Sequence, residues 1–186
     1  AALKAAGDSM LNPGLYTENN IVGSINLITE AVKHGIKNII FSSTAAVYGE
    51  PIYNPIDEKH PTQPINHYGF TKLTIENYLN WMNKMHGINY AALRYFNAAG
   101  YSTDKNLIKF KEKNPQNLLP IIMEVANGTR DSFDVYGNDY NTEDGTCIRD
   151  YIHVLDLADA HVKALENLAS SNLEKITLNL STGSGY

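Results

Sequence analysis

Three features of the sequence predict a doubly wound α/β sheet: apolar residues at helical spacing, short apolar runs without polar alternation, and the regular exchange of one for the other. From Glu18 to Lys33, Ile21, Val22, Ile25, Ile28 and Val32 recur at the helical period, and Gly35 follows where a C-cap glycine belongs. Asn38 to Ser43 is a short apolar run ending in small polar residues, the pattern of a buried parallel strand whose C-terminal end meets a ligand crevice. A Pro-rich loop from Pro51 to Pro64 leads to a second helix, Asn66 to Met85, whose apolar side is Leu73, Ile75, Tyr78, Leu79, Met82 and Met85 and which His86-Gly87 stops. Tyr90 to Phe96 is the next buried strand, so the order is Rossmann-like. Beyond Gly100 come a polar loop, a short helix Leu118 to Ala126, an irregular stretch rich in Gly, Asp and Asn, a helix Leu155 to Ala169 and a strand Ile176 to Leu180. The expected architecture is an incomplete Rossmann-like parallel sheet over residues 1–100. Residues 101–186 belong mostly to a smaller α/β domain, with segments able to return to the sheet.

Composition excludes several functions. Twenty Asp+Glu against fifteen Lys+Arg give a net charge of -5, and the basic residues are dispersed except for Lys105, Lys109, Lys111 and Lys113, which read as a solvated loop. Nucleic acid is therefore not an expected partner. Cys147 is the only cysteine, which excludes an intramolecular disulfide, argues against a structural zinc site and fits a reducing cytoplasm. No apolar run approaches the roughly 20 residues of a membrane span. The chain opens without Met on Ala1-Ala2-Leu3-Lys4-Ala5-Ala6-Gly7, which reads as the inside of a loop, so a piece of a longer protein is expected.

Tyr68 and Lys72 stand four residues apart near the start of the second helix and so project from one face, a turn apart. A phenol of pKa near ~10 is a poor base at neutral pH. A cation about 4 Å away favours the phenolate by up to ~4 kcal/mol at an effective dielectric of about 20. Spacing alone proves little, because twelve tyrosines and twelve lysines in 186 residues give about one such pair by chance. Tyr101 and Lys105 also satisfy it, but they lie in a polar loop with no helical rhythm and read as coincidence. Tyr68-Lys72 differs in context: the preceding strand ends in Ser42-Ser43-Thr44, and Thr44 brings a hydroxyl to the same crevice. Hydroxyl, phenol and ammonium together can polarise and deprotonate an alcohol during hydride transfer.

These segments carry a family resemblance. Ser42-Ser43-Thr44 with Val47-Tyr48-Gly49, Tyr68-Gly69-Phe70-Thr71-Lys72, and Leu93-Arg94-Tyr95-Phe96-Asn97 resemble the extended short-chain dehydrogenase/reductases that act on nucleotide sugars. Asn117-Leu118-Leu119-Pro120, Tyr136-Gly137-Asn138-Asp139-Tyr140, Thr142 to Thr146 and Ile148 to Val154 narrow the likeness to the UDP-glucose 4-epimerase family. The resemblance covers essentially the whole chain and implies an NAD-dependent isomerase, a cytoplasmic homodimer, interconverting UDP-galactose and UDP-glucose through a 4-keto sugar. It makes residues 1–100 the rear of the NAD-binding domain and 101–186 mostly the UDP-sugar domain. Tyr68 is then the general base and acid, Lys72 tunes it and holds the cofactor ribose, and Thr44 contacts the sugar hydroxyl. Lys4, Asn19, Ser42, Ser43, Tyr95 and Phe96 match cofactor contacts. Asn97, Asn117, Leu118, Tyr136, Arg149 and Tyr151 match the nucleotide-sugar site, with Thr44. Arg149 suits a diphosphate, since its fork donates to two oxygens at once, whereas the plainer reading of Arg149-Asp150 is a surface ion pair.

The chain departs from the family in lacking the opening Gly-rich strand-turn-helix that binds the cofactor pyrophosphate, and the substrate domain stops at Tyr186. NAD binding by these residues alone is therefore not expected. Among rivals, a nucleotide-sugar 4,6-dehydratase has carboxylates after the active-site Thr, where this chain has Ala45 and Ala46. Related epimerases of N-acetylated or pentose UDP-sugars, and a plain NAD-dependent oxidoreductase, share the Tyr68-Lys72-Thr44 chemistry. A different class is an inert fragment retaining helices that in this family pair across a homodimer, Glu18 to Lys33 and Asn66 to Met85. No metal site is expected.

Overall fold

The computed structural model describes residues 2–102, 104, 106–107, 115–170 and 173–186. The lysines of the polar loop, Lys105, Lys109, Lys111 and Lys113, and with Lys105 the second Tyr-Lys pair, lie outside the described residues. The chain divides into two compact units, residues 1–96 with 158–180, and residues 97–157 with 181–186.

The first unit is built on three parallel strands in the order β1 (Asn38–Thr44), β2 (Asn89–Tyr95), β5 (Lys175–Leu180). Strand alternation sorts their side chains onto two apolar faces. Tyr90 and Ala92 join Ile28 of helix α3 (Gly23–Lys33) and Ile75, Leu79 and Met82 of helix α4 (His67–His86), with Ile39 and Phe41 against them. Ala91 and Leu93 instead join Ala164 and Leu168 of helix α6 (Val154–Ser170), with Ile40, Ile176 and Leu178 alongside. Helices on both faces of a parallel sheet explain why β1 and β2 lack polar alternation. The sheet is the expected Rossmann-like one, and incomplete.

The helix ends follow local chemistry. Asn66 caps α4 by accepting from the Gly69 amide at 2.8 Å, and Gly87 closes it at φ 62°, a left-handed turn that suits glycine. The helix expected from Glu18 begins earlier. Pro13 opens α2 (Pro13–Tyr16), a π-helical segment follows (Thr17–Val22), and α3 continues to Lys33. The early turns escape an apolar rhythm because their inward residues are Tyr16, bonded to the Ala5 carbonyl, and Asn20. The opening residues, expected as loop, contain helix α1 (Ala6–Leu11), pinned by the fully buried Ser9, whose hydroxyl donates to the Ala6 carbonyl.

The second unit holds a short parallel pair, β3 (Asn97–Ala99) with β4 (Tyr151–His153), and helix α5 (Leu118–Ala126), where the periodicity expects it. The β3 and β4 strands are too short to show alternation in sequence. No helix is long and apolar enough to cross a membrane among the described residues.

A row of polar residues crosses the first unit's sheet one step before its C-terminal edge: Ser43, Arg94 and Asn179 are register partners on the α4 face. Arg94 donates to both Glu76 oxygens, at 3.0 and 2.6 Å, and to the Tyr48 hydroxyl at 2.8 Å. Tyr48 in turn donates to Asn179 at 2.7 Å. Among the described residues no buried side-chain nitrogen or oxygen lacks a partner. Removing one member of so buried a pair strands the other, so Arg94→Ala should cost about 3–5 kcal/mol of stability, read from urea unfolding of the full-length protein. A loss below about 1 kcal/mol would show the pair to be solvated.

Candidate active site

Strand β1 delivers its last residues to the edge of the sheet, and the first turn of α4 is pressed onto them. A Cβ on Gly69 would collide with the Ala46 carbonyl oxygen, so glycine allows the helix backbone to touch the 3-10 turn Ala45–Val47. Thr44 caps that turn, its hydroxyl accepting from the Ala46 amide at 3.2 Å. The Tyr68 phenol lies near enough to the same hydroxyl for Thr44 to act on its acidity. Tyr68 is itself anchored through its amide, which donates to Ser9 Oγ at 2.9 Å.

One turn on, Lys72 is only 7% exposed. Its ammonium donates to the Ser42 carbonyl at 2.8 Å and lies 5.0 Å from the Phe41 ring centre and 5.8 Å from that of Tyr68. The three residues expected to form the catalytic trio are thus brought together. The electrostatics differ from the expectation that the ammonium depresses the phenol. Burial pushes the Tyr68 phenol above its usual range, and the nearby Thr44 hydroxyl opposes this. Burial also lowers Lys72, to about 8.

The residues expected at the cofactor divide. Ser42 accepts at its hydroxyl from Tyr95 at 2.8 Å, and the Tyr95 oxygen also meets His161 Nε2 at 2.5 Å. Since Tyr95 has one hydroxyl proton, His161 is the donor in that bond. Asn19 is exposed on the π-helical segment and lines a cavity of about 400 Å³ with Ser24, Phe41, Ser42 and Lys72. Lys4 is exposed before α1, and Phe96 closes the strand through its amide to Leu180. Ser43 departs from the expectation that it faces the crevice: strand alternation turns its hydroxyl into the core, where it donates to Glu76 at 2.5 Å.

In the second unit, Asn97 pairs with Tyr151 across β3 and β4 and donates from its side chain to the Asp150 carbonyl at 2.8 Å. Arg149 is exposed two residues before Tyr151, its fork donating to the Ile148 carbonyl at 2.9 Å, while its backbone pairs with Tyr186. The Arg149-Asp150 ion pair does not form, because the Asp150 carboxylate accepts from the Thr182 and Gly183 amides at 2.9 and 2.8 Å. Asn117 and Leu118 open α5, and Tyr136 is 84% exposed on the loop before Arg149.

Sequence reasoning missed Asn20, Glu76 and His161. Asn20 bonds both backbone groups of Leu3 at 2.9 Å and reaches the Thr71 hydroxyl at 3.2 Å, tying the opening segment to α4. The available signals were an Asn inside an apolar stripe, and a Glu that continues the Tyr68, Lys72 spacing.

A tyrosine, a lysine and a hydroxyl thus gather at the C-terminal edge of a parallel sheet, where open α/β sheets take their ligands. The chain belongs to the NAD dependent epimerase/dehydratase family, which it matches over residues 1–179. Within that family it is 46% identical, over its whole length, to the UDP-glucose 4-epimerase of Halalkalibacterium halodurans, of which it covers 55%. A UDP-glucose 4-epimerase from Brucella ovis solved in complex with NAD matches the whole chain with a TM-score of 0.94 at 44% identity, over 57% of that structure. One from Bifidobacterium longum in complex with NAD+ and UDP matches with a TM-score of 0.91 at 41% identity, over 56%. The chain spans about half the length of the curated relatives it matches.

The buried lysine sets a pH dependence. Its folded pKa of about 8 lies below the ordinary 10.5, so between those values the unfolded chain binds more protons and stability rises with pH. The penalty is full below about 8 and gone above 10.5. In the cofactor-free protein Lys72→Met should therefore be more stable than the parent at pH 7, the difference narrowing toward alkaline pH in paired urea titrations. A constant difference would place Lys72 in contact with solvent.

Proposed function

We propose that the full-length protein carrying this chain is a UDP-glucose 4-epimerase that interconverts UDP-galactose and UDP-glucose through a 4-keto sugar, with NAD as cofactor. The observation that carries the reading is the Tyr68 phenol at the end of a parallel strand, its ring centre 5.8 Å from the buried Lys72 ammonium that is held on the Ser42 carbonyl, with Thr44 beside it. The identity to UDP-glucose 4-epimerases over the whole chain supports the substrate pair.

The residues present fit NAD. The cavity beside β1 offers the Asn19 amide, the Ser24 and Ser42 hydroxyls, the Lys72 ammonium and the flat Phe41 ring, a donor set suited to a ribose and an aromatic ring. When bound, NAD supplies a reversible acceptor for the hydride that leaves C4 of the sugar. The Tyr68 oxygen takes the proton of the 4-hydroxyl as the carbon becomes a ketone, and returns it when the alcohol re-forms. Thr44 donates to or accepts from the same oxygens and keeps them in line. Lys72, held on the Ser42 carbonyl, keeps its remaining protons for a ribose hydroxyl and places its charge beside the phenol. Arg149 Nη1 donates to the Ile148 carbonyl, and the other N–H groups of its fork are the ones we assign to the diphosphate, with Asn97, Asn117, Leu118, Tyr136 and Tyr151 as the nucleotide-sugar contacts that the family resemblance implies. The assembly is a cytoplasmic homodimer through α3 and α4. Exposed Phe70, Trp81 and Met85 form one stripe along α4, a surface suited to burial.

In the full-length protein Tyr68→Phe should lower kcat on UDP-galactose by on the order of 10²- to 10⁴-fold while UDP affinity holds, since the proton acceptor is lost and the shape stays. A Phe variant turning over like the parent removes Tyr68 from the mechanism. Arg149→Ala should weaken UDP binding about 10- to 100-fold, the scale of a charge-assisted hydrogen bond, in a calorimetric titration. Unchanged affinity would leave Arg149 a surface residue.

A further inference from the structure

We propose that Glu76 is a positioning residue for the reaction, acting through Ser43 to hold the Thr44 hydroxyl against the Tyr68 phenol. The inference rests on the epimerase reading above. Tyr68, Lys72 and Glu76 succeed one another at four-residue spacing on a single stripe of α4. The first two serve the site. Glu76 is turned into the core, 7% exposed, and its carboxylate accepts from Ser43 Oγ at 2.5 Å and from Arg94 at 3.0 and 2.6 Å.

Ser43 immediately precedes Thr44 and is 2% exposed. In a strand, consecutive side chains leave on opposite faces, so pinning the Ser43 hydroxyl to α4 fixes the direction in which Thr44 leaves the sheet. The anchor and the phenol sit on the same helix, two turns apart. The Glu76-Ser43 bond therefore ties the strand end, with Thr44 on it, to the element that carries Tyr68. Arg94, the register partner of Ser43, neutralises the carboxylate that makes this anchor. A buried ion pair is weak as a source of stability, since apolar residues of equal volume do as well or better, but it holds a hydroxyl in one geometry.

The test is Ser43→Ala in the full-length holoenzyme, which removes one hydroxyl and leaves the Glu76-Arg94 pair whole, with Ser43→Thr, which restores a hydroxyl, beside it. Ser43→Ala should lower kcat on UDP-galactose on the order of 10- to 100-fold, the scale of a small misplacement of a catalytic group. KM, NAD affinity and Tm should stay near the parent values, and Ser43→Thr should recover most of the turnover. A fall in Tm with kcat unchanged would make the bond purely structural. Lost NAD affinity with kcat preserved at saturating NAD would make Ser43 a direct cofactor contact. Either result overturns the proposal, as does a Thr variant as slow as Ala. A parent protein inactive on UDP-galactose overturns the epimerase reading itself, a distinguishable failure.

Discussion

The buried pair of Glu76 and Arg94 constrains more of the first unit than any apolar contact does. Apolar side chains tolerate sliding, whereas two charges taken out of water require every donor and acceptor to be met. Arg94 spends its fork on both Glu76 oxygens and the Tyr48 hydroxyl, and Glu76 takes the Ser43 hydroxyl as well. Tyr48 passes the network to Asn179, whose amide groups hold the Ile56 carbonyl and the Glu58 carboxylate. All three strands, α4 and the Pro-rich loop thus meet at one connected set of bonds. A one-residue slip of β2 would carry Arg94 to the α6 face, where Ala164 and Leu168 offer no acceptor side chain. Register is fixed by polarity here and merely filled by Val, Ile, Leu and Ala.

A second constraint acts at the level of backbone. Gly69 lets α4 approach the Ala46 carbonyl closer than any side chain would allow, and Asn66 anchors the helix start at that point. Lys72 likewise reports to backbone, through the Ser42 carbonyl. The site is assembled from a helix N-terminal turn laid on the end of a strand, with side chains bonding to main chain on both sides. Such an arrangement loses little rotamer freedom when substrate arrives, because the groups are already fixed by packing.

Elements that bury an apolar face by themselves were legible in the sequence: α3, α4, β1, β2, α6 and β5 each carry enough Ile, Leu, Val or Ala at the right period. Tyr68, Lys72 and Thr44 were legible because their spacing and their position after a strand constrain each other. What escaped is whatever depends on a distant partner. β3 and β4 exist through their pairing, Asn97 with Tyr151, and three residues leave no pattern. The π-helical segment turns Asn20 inward for the sake of Leu3 and Thr71, one of them 51 positions away. Ser43 was misread as facing the crevice because three consecutive small polar residues hide the strand's alternation. Glu76 leaves no mark in its own helix, because its partner Arg94 comes from β2, eighteen positions on.

The strength of the proton acceptor is the property left least to local sequence. Burial favours the neutral form of the Tyr68 phenol and of the Lys72 amine alike, and the neighbouring phenols Tyr95 and Tyr16 add to the effect on Tyr68. Against these stands the neighbouring Thr44 hydroxyl. A hydroxyl that stabilises a developing phenolate is effective only if it is aimed, because hydrogen bonds weaken steeply as the angle departs from linear. The aim of Thr44 is decided by the backbone of the residue before it, and that residue is bonded to the Glu76-Arg94 layer. Charge buried for geometry at one level of the sheet thereby reaches the strand end that carries Thr44, which links the most costly interaction in the core to the candidate site at its edge.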